Sequence, residues 1–281
     1  MGDRAEKCSG STPGRIAGTV IPLLTVVLLF CAVWAQAAWF PELTQDGQKK
    51  KNGTIVDIGH ADQGYIQVCH QASSKKLKVR VSNGDMTYTY DLNGEGEFEV
   101  FPLQMGSGSY RVGVYEQVKG SQYQSVSNIS FDVEIADSLL PFLYPNQYAW
   151  YEAGDEAIAQ AETLCEGLSS DEQKVEAIER FVTGRFMYDY MKAVTIRSAT
   201  GYLPDIEKVY SEKKGICFDF AALVCCMLRT QGIPTQMVIG YADATYHAWN
   251  SVYVDGQWRL IDTTAAITGT TVRQYTPGLY Y

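Results

Sequence analysis

The chain has 281 residues, enough for two domains of ordinary size that each bury a core of their own. Because 46% of the residues are hydrophobic and 20% are charged, the composition is that of a globular protein and not of a disordered one. The formal net charge is −9, which argues against general nucleic-acid binding. We therefore expect no nucleic-acid partner.

Residues 16–35 form an apolar segment that follows Arg15. A basic flank followed by about 20 apolar residues is typical of a secretory signal peptide or of a single membrane anchor. Ala35-Gln36-Ala37 has the small residues that a signal peptidase requires. Residues 1–37 are therefore predicted to be a signal peptide or a membrane anchor. We expect the protein to be secreted, or attached through this segment to the outer face of the cytoplasmic membrane.

Residues 38–54 are polar and contain the lysine run Lys49–Lys51, and we interpret them as a linker. Residues 55–136 differ, because short segments of alternating apolar and polar residues are separated by turn residues such as Asn93-Gly94. This pattern predicts a small antiparallel β-sandwich domain of immunoglobulin-like shape. The predicted strands are Leu77–Val81, Thr87–Leu92, Phe98–Phe101, Tyr110–Tyr115 and Ile129–Ile135.

Residues 137–281 are predicted to form a second domain that mixes helices and strands. Glu156–Leu168 has helical periodicity, and a second helix is expected to begin with a capping box at Ser169 or Ser170 and Gln173. The remaining predicted elements are an apolar helix from Cys217 to about Thr230 and strands at Thr235–Tyr241, His247–Val254 and Gln257–Asp262.

Most cysteines and histidines have ordinary structural interpretations. No spacing typical of a zinc site is present, so we expect neither a metal nor another cofactor. His60 and His70 are interpreted as surface or structural residues. Cys69 and Cys165 either form a disulfide or remain separate, because spacing alone does not decide it. Two adjacent cysteines inside the apolar helix, Cys225 and Cys226, are interpreted as small buried hydrophobic residues.

Cys217 is the cysteine whose position favours reactivity. A thiol attacks acyl groups as its thiolate, and a free cysteine with a pKa of about 8.5 is mostly protonated at neutral pH. Cys217 follows Gly215-Ile216 at the start of the apolar helix, where the positive end of the helix dipole stabilises a thiolate. We therefore predict that Cys217 is a nucleophile.

His247 and Asp262 are predicted to be neighbours on one face of a β-hairpin. His247 is the one histidine after residue 70, so it is the candidate base. The two-residue turn Asp255-Gly256 sets the register of the hairpin. The expected opposite pairs are Val254 with Gln257, Trp249 with Asp262, and His247 with Thr264. His247 and Asp262 then share one face as diagonal neighbours about 7–8 Å apart, close enough for a base and its orienting acid.

Four ordered sequence blocks resemble the core of the transglutaminase-like superfamily. The resemblance covers roughly residues 171–264 and implies an α+β, papain-like core in which the nucleophile helix packs on an antiparallel sheet. It implies Cys217, His247 and Asp262 as the catalytic triad. The blocks are Gly215-Ile216-Cys217-Phe218-Asp219-Phe220-Ala221, Leu228-Arg229-Thr230-Gln231-Gly232-Ile233-Pro234, His247-Ala248-Trp249-Asn250 and Trp258-Arg259-Leu260-Ile261-Asp262-Thr263-Thr264.

The resemblance also implies a site that stabilises an oxyanion. The backbone amide of Cys217 is one expected donor. In animal transglutaminases a tryptophan upstream of the cysteine provides another, but no tryptophan lies between Trp150 and Cys217 here. Tyr188 is the candidate substitute, and a core packing role is its alternative. Trp249 is expected to line the site and shield it from water.

Three functions remain open at this point. A thiol peptidase or amidase would resolve the acyl-thioester at Cys217 with water, and a protein-crosslinking acyltransferase would resolve it with an amine. The extra β-barrels and calcium sites of the animal crosslinking enzymes have no room among residues 265–281, so hydrolysis of a protein or peptide substrate is favoured. A non-catalytic binding or wall-associated structural protein is the third alternative, against which the complete set of Cys, His and Asp argues.

Overall fold

The computed structural model describes residues 40–196 and 201–281. Over these residues the chain has the predicted α+β fold, with three four-stranded sheets and one two-stranded sheet. No helix in this part of the chain is both long enough and apolar enough to cross a membrane. The apolar segment 16–35 and the expected cleavage site lie outside the described residues.

Two antiparallel sheets form the β-sandwich. The strands are β1 (Gln48–Lys51), β2 (Thr54–Asp57), β3 (Tyr65–His70), β4 (Leu77–Asn83), β5 (Met86–Leu92), β6 (Glu99–Pro102), β7 (Gly108–Lys119) and β8 (Gln122–Val133). The sheet orders are β1-β2-β3-β6 and β5-β4-β7-β8. Inward-facing side chains of both sheets share one core, in which the rings of Tyr90 and Phe101 lie 5.1 Å apart. The predicted sandwich is therefore present, with longer strands than expected.

The prediction of a linker over residues 38–54 is wrong for its second half. Gln48–Lys51 forms an edge strand whose partner is β2. Asn52 and Gly53 have φ angles of 47° and 74°, the two positive values that a tight hairpin turn of the Asn-Gly type requires. The lysines keep this edge charged, which is how exposed edge strands avoid pairing with other chains. The polar residues Gln48–Lys51 therefore belong to a solvent-exposed edge strand and not to a linker.

A second unit of helices and strands follows the sandwich. The helices are α1 (Glu156–Cys165), α2 (Asp171–Arg185), α3 (Tyr190–Ile196), α4 (Ile206–Glu212), α5 (Cys217–Arg229) and α6 (Thr263–Thr268). The strands are β9 (Met187–Tyr188), β10 (Lys214–Gly215), β11 (Thr235–Ala242), β12 (Thr245–Val254), β13 (Gln257–Ile261) and β14 (Tyr275–Tyr280). The antiparallel sheet has the order β13-β12-β11-β14. The predicted capping box of α2 is present, with the Gln173 amide donating to Ser170 Oγ at 3.2 Å.

Helix α5 is the centre of this unit and is buried along almost its whole length. Because most of its residues are apolar and buried on every side, it behaves as a core helix and not as a surface helix. It is joined to the sheet where Asn250 Nδ2 on β12 donates to the carbonyl of Ala221 at 2.9 Å. This arrangement fixes the start of α5 relative to β12.

Strand β14 was not predicted from the sequence. It contains Pro277 and Gly278, which are poor strand residues and are tolerated here because β14 lies at a sheet edge. The chain ends with Tyr281, whose ring lies 5.5 Å from that of Tyr88 and 4.2 Å from that of Tyr148. The C-terminal segment therefore connects the sandwich to the second unit.

The remaining structural interpretations have clear outcomes. His70 is buried and its Nδ1 shares a hydrogen bond of 2.8 Å with Thr54 Oγ1, while the His60 ring stacks on Tyr65 at 5.5 Å. Both contacts are structural, as predicted. Cys165 is a free, buried cysteine, so the open alternative of a Cys69–Cys165 disulfide is excluded.

Candidate active site

Cys217 is the first residue of α5, and its side chain is partly exposed. Its position is fixed from the N-terminal side, because Lys214–Gly215 pairs with β9 and the Ile216 amide donates to Asp219 at 2.9 Å. A side chain on Gly215 would approach Asp219 Cβ to 2.8 Å, so this turn requires glycine. The thiol therefore lies at the positive end of a helix dipole and within reach of solvent.

His247 and Asp262 are in direct contact. His247 Nε2 lies 2.8 Å from Asp262 Oδ2, and the two side chains are only 10% and 4% exposed. The predicted register is present from Val254–Gln257 to Asn250–Ile261. The two pairs expected beyond it, Trp249–Asp262 and His247–Thr264, are not ladder pairs.

The strand ends early because Asp262 is the N-cap of α6, where its Oδ1 accepts the Ala265 amide at 2.9 Å. Thr263 and Thr264 are therefore helical. The prediction that His247 and Asp262 share a face does not depend on where β13 ends. Side chains alternate between the two faces of the sheet up to Ile261, and this alternation sets the face of the next residue. One carboxylate oxygen thus caps a helix while the other contacts the imidazole.

The electrostatic surroundings keep His247 charged at neutral pH. Burial lowers the pKa of His247, but the hydrogen bond and charge of Asp262 and the hydrogen bond with the Cys217 thiol outweigh it and raise the pKa to about 9. Burial raises the pKa of Asp262, and the stronger effect of His247 lowers it below its usual range. Because Nε2 contacts Asp262, the other ring nitrogen, Nδ1, is left for the thiol.

Cys225 and Cys226 have the opposite surroundings. Both are fully buried, as predicted. Burial raises the pKa of the Cys225 thiol to about 11, and its Sγ donates to the carbonyl of Thr235 at 3.2 Å. Burial also raises the pKa of Cys226 well above its ordinary value. These two thiols are packing residues.

Tyr275 on β14 is a site residue that the sequence did not reveal. Its hydroxyl donates to Asp262 Oδ2 at 2.9 Å. Its ring lies 5.1 Å from that of Trp249, which in turn stacks at 6.1 Å on His247 with an interplanar angle of 23°. Trp249 is 3% exposed and its ring lies against the imidazole, while its role in lining the site stays a prediction. No local sequence motif indicates Tyr275. It lies on β14, which is separated from β12 in the sheet by β11.

Asp219 is a fully buried carboxylate at the start of α5. Besides the Ile216 amide, it accepts hydrogen bonds from Lys192 Nζ at 2.7 Å and from the Tyr202 hydroxyl. A carboxylate near the start of a helix interacts favourably with the helix dipole. Its two side-chain partners were missed, because they come from α3 and from the loop before α4.

Backbone pairing holds Tyr188 near Cys217. Tyr188 pairs in the parallel ladder of β9 and β10 with Gly215, the residue two positions before Cys217. Its ring packs edge-to-face on Tyr190 with 4.9 Å between centroids. The placement agrees with either interpretation made from the sequence, so an oxyanion role for Tyr188 stays a prediction.

Exposed aromatic rings extend outward from the thiol. The ring of Phe218 lies 5.9 Å from that of Tyr246, which lies 5.8 Å from that of Tyr241. Tyr246 and Tyr241 are 58% and 51% exposed. The surface beside Cys217 therefore offers uncharged contacts to a substrate.

Over the described part of the chain, no cluster of three or more His, Cys, Asp or Glu side chains could hold a metal ion.

Comparison with known proteins finds one family and two relatives with similar sequences. Residues 158–263 match the family model of the transglutaminase-like superfamily. The chain is 24% identical over 230 residues to human Kyphoscoliosis peptidase, which covers 75% of this chain and 33% of the relative. It is 27% identical over 127 residues to the mouse protein of the same name, covering 40% of this chain and 19% of that relative. The chain thus spans about a third of the human relative's length.

Solved structures include similar folds. A transglutaminase crystal structure is 26% identical and covers 43% of this chain and 32% of its own, with a TM-score of 0.35. A candidate cysteine protease from Cytophaga hutchinsonii is 17% identical and covers 77% of this chain and 91% of its own, with a TM-score of 0.40. The family match points to a cysteine-dependent hydrolase or acyltransferase. Over residues 158–263 the protein is therefore similar to the transglutaminase-like superfamily.

Proposed function

We propose that this protein is a thiol hydrolase that cleaves amide bonds in proteins or peptides through an acyl-thioester at Cys217. The observation that carries the proposal is the row formed by a partly exposed thiol at a helix start, the charged imidazole of His247 and the buried carboxylate of Asp262. These are a nucleophile, its acid–base partner and the group that orients that partner.

The proposed reaction begins with attack by Cys217 Sγ on the carbonyl carbon of the amide. The carbonyl π electrons move to oxygen, and the amide N–H of Cys217 at the start of α5 is placed to stabilise that oxyanion. When the tetrahedral intermediate collapses, the C–N bond breaks and the leaving amine takes the proton from His247.

The second half-reaction restores the enzyme. Neutral His247 removes a proton from water, and the water oxygen attacks the thioester carbon. The C–S bond then breaks, which releases a carboxylic acid and returns the thiolate beside the imidazolium. Asp262 keeps its charge throughout and fixes the ring orientation.

Two further observations support a peptide substrate and an exported enzyme. The relative that aligns with 75% of the chain is named a peptidase, and the rings of Phe218 and Tyr246 beside the thiol offer contacts to apolar side chains. The basic flank and apolar segment over residues 16–35 are the basis for proposing secretion or attachment to the outer face of the membrane.

The test is a turnover assay with a denatured protein substrate and a labelled primary amine. We expect new N-termini or released ammonia from the wild type, none from Cys217→Ala, and near wild-type rates from the matched control Cys225→Ala. The loss in Cys217→Ala should be about a thousandfold or more, since the covalent step disappears.

Two outcomes would contradict the proposal in different ways. Amine incorporation that outpaces hydrolysis would make the protein an acyltransferase. Equal turnover by the wild type and Cys217→Ala would remove Cys217 from the reaction.

A further inference from the structure

We propose that Tyr275 is a positioning residue of the active site and that strand β14 completes this site by holding the carboxylate of Asp262. The inference rests on the proposed function for its kinetic consequence, although the contact itself does not. Tyr275 lies beyond residues 158–263, which the superfamily model matches, so the matched core alone lacks this group.

The hydrogen bonds of Asp262 show what Tyr275 adds. Oδ2 accepts hydrogen bonds from His247 Nε2 at 2.8 Å and from the Tyr275 hydroxyl at 2.9 Å. Oδ1 accepts a hydrogen bond from the Ala265 amide at 2.9 Å. Three donors from β12, β14 and α6 therefore hold a carboxylate whose side chain is 4% exposed. Without the Tyr275 hydroxyl, His247 is the one side-chain donor to Oδ2 that remains among these contacts. His247 is also the group that Asp262 has to orient.

Tyr275 acts as a donor only. Burial, followed by the hydrogen bond and charge of Asp262, raises the pKa of Tyr275 above its ordinary value, so the phenol is protonated at neutral pH. Asp243 is a second negative charge that acts on the same phenol. A neutral phenol stabilises the charged form of the carboxylate, and its hydrogen bond accordingly lowers the pKa of Asp262.

The backbone around Tyr275 is fixed independently of the site. Residue 275 is the first of β14 and pairs with Ala242 at the end of β11. Just before it, the amides of Arg273 and Gln274 donate to Asp243 Oδ1 at 3.2 and 3.0 Å. The backbone that carries the phenol is therefore held by hydrogen bonds outside the site, as a positioning group requires.

Gly240 provides the space for this arrangement. It lies opposite His247 in the β11–β12 ladder. A side chain on Gly240 would approach the backbone oxygen of Thr276 to 2.2 Å and the Trp249 ring to 2.9 Å. The missing side chain lets β14 and the Trp249 ring approach each other, and the Trp249 ring contacts the rings of both Tyr275 and His247.

The experiment compares Tyr275→Phe with Tyr280→Phe, the same substitution on the same strand. The phenylalanine at 275 keeps the ring beside Trp249 and removes only the hydroxyl. We expect kcat to fall about tenfold with little change in KM, since a buried hydrogen bond to a charged group is lost. Tyr280→Phe should retain wild-type kinetics.

A second readout does not need turnover. Carbon-13 NMR of the Asp262 carboxyl should show its pKa moved to higher pH in Tyr275→Phe and unmoved in Tyr280→Phe. The groups that act on this carboxyl are His247, the Ala265 amide and Tyr275, and the first two are the same in both variants.

The outcomes separate the two proposals. If the wild type has no turnover, the proposed hydrolase is wrong, and the NMR shift alone decides the role of Tyr275. An unmoved Asp262 pKa in Tyr275→Phe, or equal losses of kcat in both variants, would overturn the positioning role even if Cys217 is confirmed as nucleophile.

Discussion

Helix α5 carries cysteines near both of its ends, and the two ends surround them differently. At the N-terminal end, Cys217 is partly exposed and faces a charged imidazole. Toward the C-terminal end, Cys225 and Cys226 are fully buried, and burial raises the pKa of both thiols. The same side chain is thus a candidate nucleophile at one end of the helix and a packing group at the other, because of solvent access and neighbouring charge.

The two ends also stabilise opposite buried charges. Asp219 near the start accepts hydrogen bonds from Lys192 and Tyr202. Arg229, the last residue of the helix, is fully buried and donates to the backbone carbonyls of its neighbours. Its acceptors are Tyr144 at 2.6 Å, Thr235 at 2.7 Å and Tyr281 at 2.9 Å. A carboxylate near a helix start and a guanidinium at a helix end both agree with the helix dipole.

The largest effect expected from this comparison is in thiol reactivity. In the native protein at neutral pH, iodoacetamide should modify Cys217 at least about a thousandfold faster than Cys225 or Cys226, since the buried thiols react only after local opening. Peptide mapping by mass spectrometry measures the three rates. Cys217→Ala is the control and should leave the native protein unlabelled within α5. Comparable labelling of Cys225 would remove the distinction between the two ends.

The next largest effect concerns the stability supplied by the C-terminal end. Arg229→Met keeps the length of the side chain but leaves the carbonyls of Tyr144, Thr235 and Tyr281 without these donors. We expect the free energy of unfolding to fall by about 3 kcal/mol, measured by urea denaturation.

A matched arginine is available as a control for that experiment. Arg259 forms an ion pair with Glu172 in which the side chains are 39% and 37% exposed. Arg259→Met should cost less than about 1 kcal/mol. Equal losses in the two variants would show that the carbonyl contacts of Arg229 add nothing beyond those of a surface pair.

A smaller effect is expected at the N-terminal end. Lys192 is 26% exposed, so its ion pair with the fully buried Asp219 is partly screened by solvent. Lys192→Met leaves the carboxylate with neutral donors only, and we expect a loss of about 2 kcal/mol in unfolding free energy. Lys174→Met is the control, because its partner Asp171 is 55% exposed and the two charged groups are 3.8 Å apart. A loss no larger than that of the control would contradict the structural role of the buried pair.

Much of the candidate site could be predicted from local patterns. The start of α5 at Cys217 follows from the residues before it, and the two-residue turn at Asp255-Gly256 fixes the register that brings His247 to Asp262. Both signals act over a few residues, where helix capping and strand alternation leave few alternatives. The early end of β13 at Ile261 was missed because Asp262 serves as a helix cap, a competing local role.

What the sequence determined by itself was therefore the helix that presents Cys217, the hairpin that joins His247 to Asp262, and the sandwich before them. The tertiary structure decided the rest: β1 as an edge strand, Lys192 and Tyr202 as partners of Asp219, and Tyr275 as a donor to Asp262. The physical reason is that these contacts join elements without a shared turn or repeat. Their partners are set by which surfaces pack together, and that depends on the whole fold.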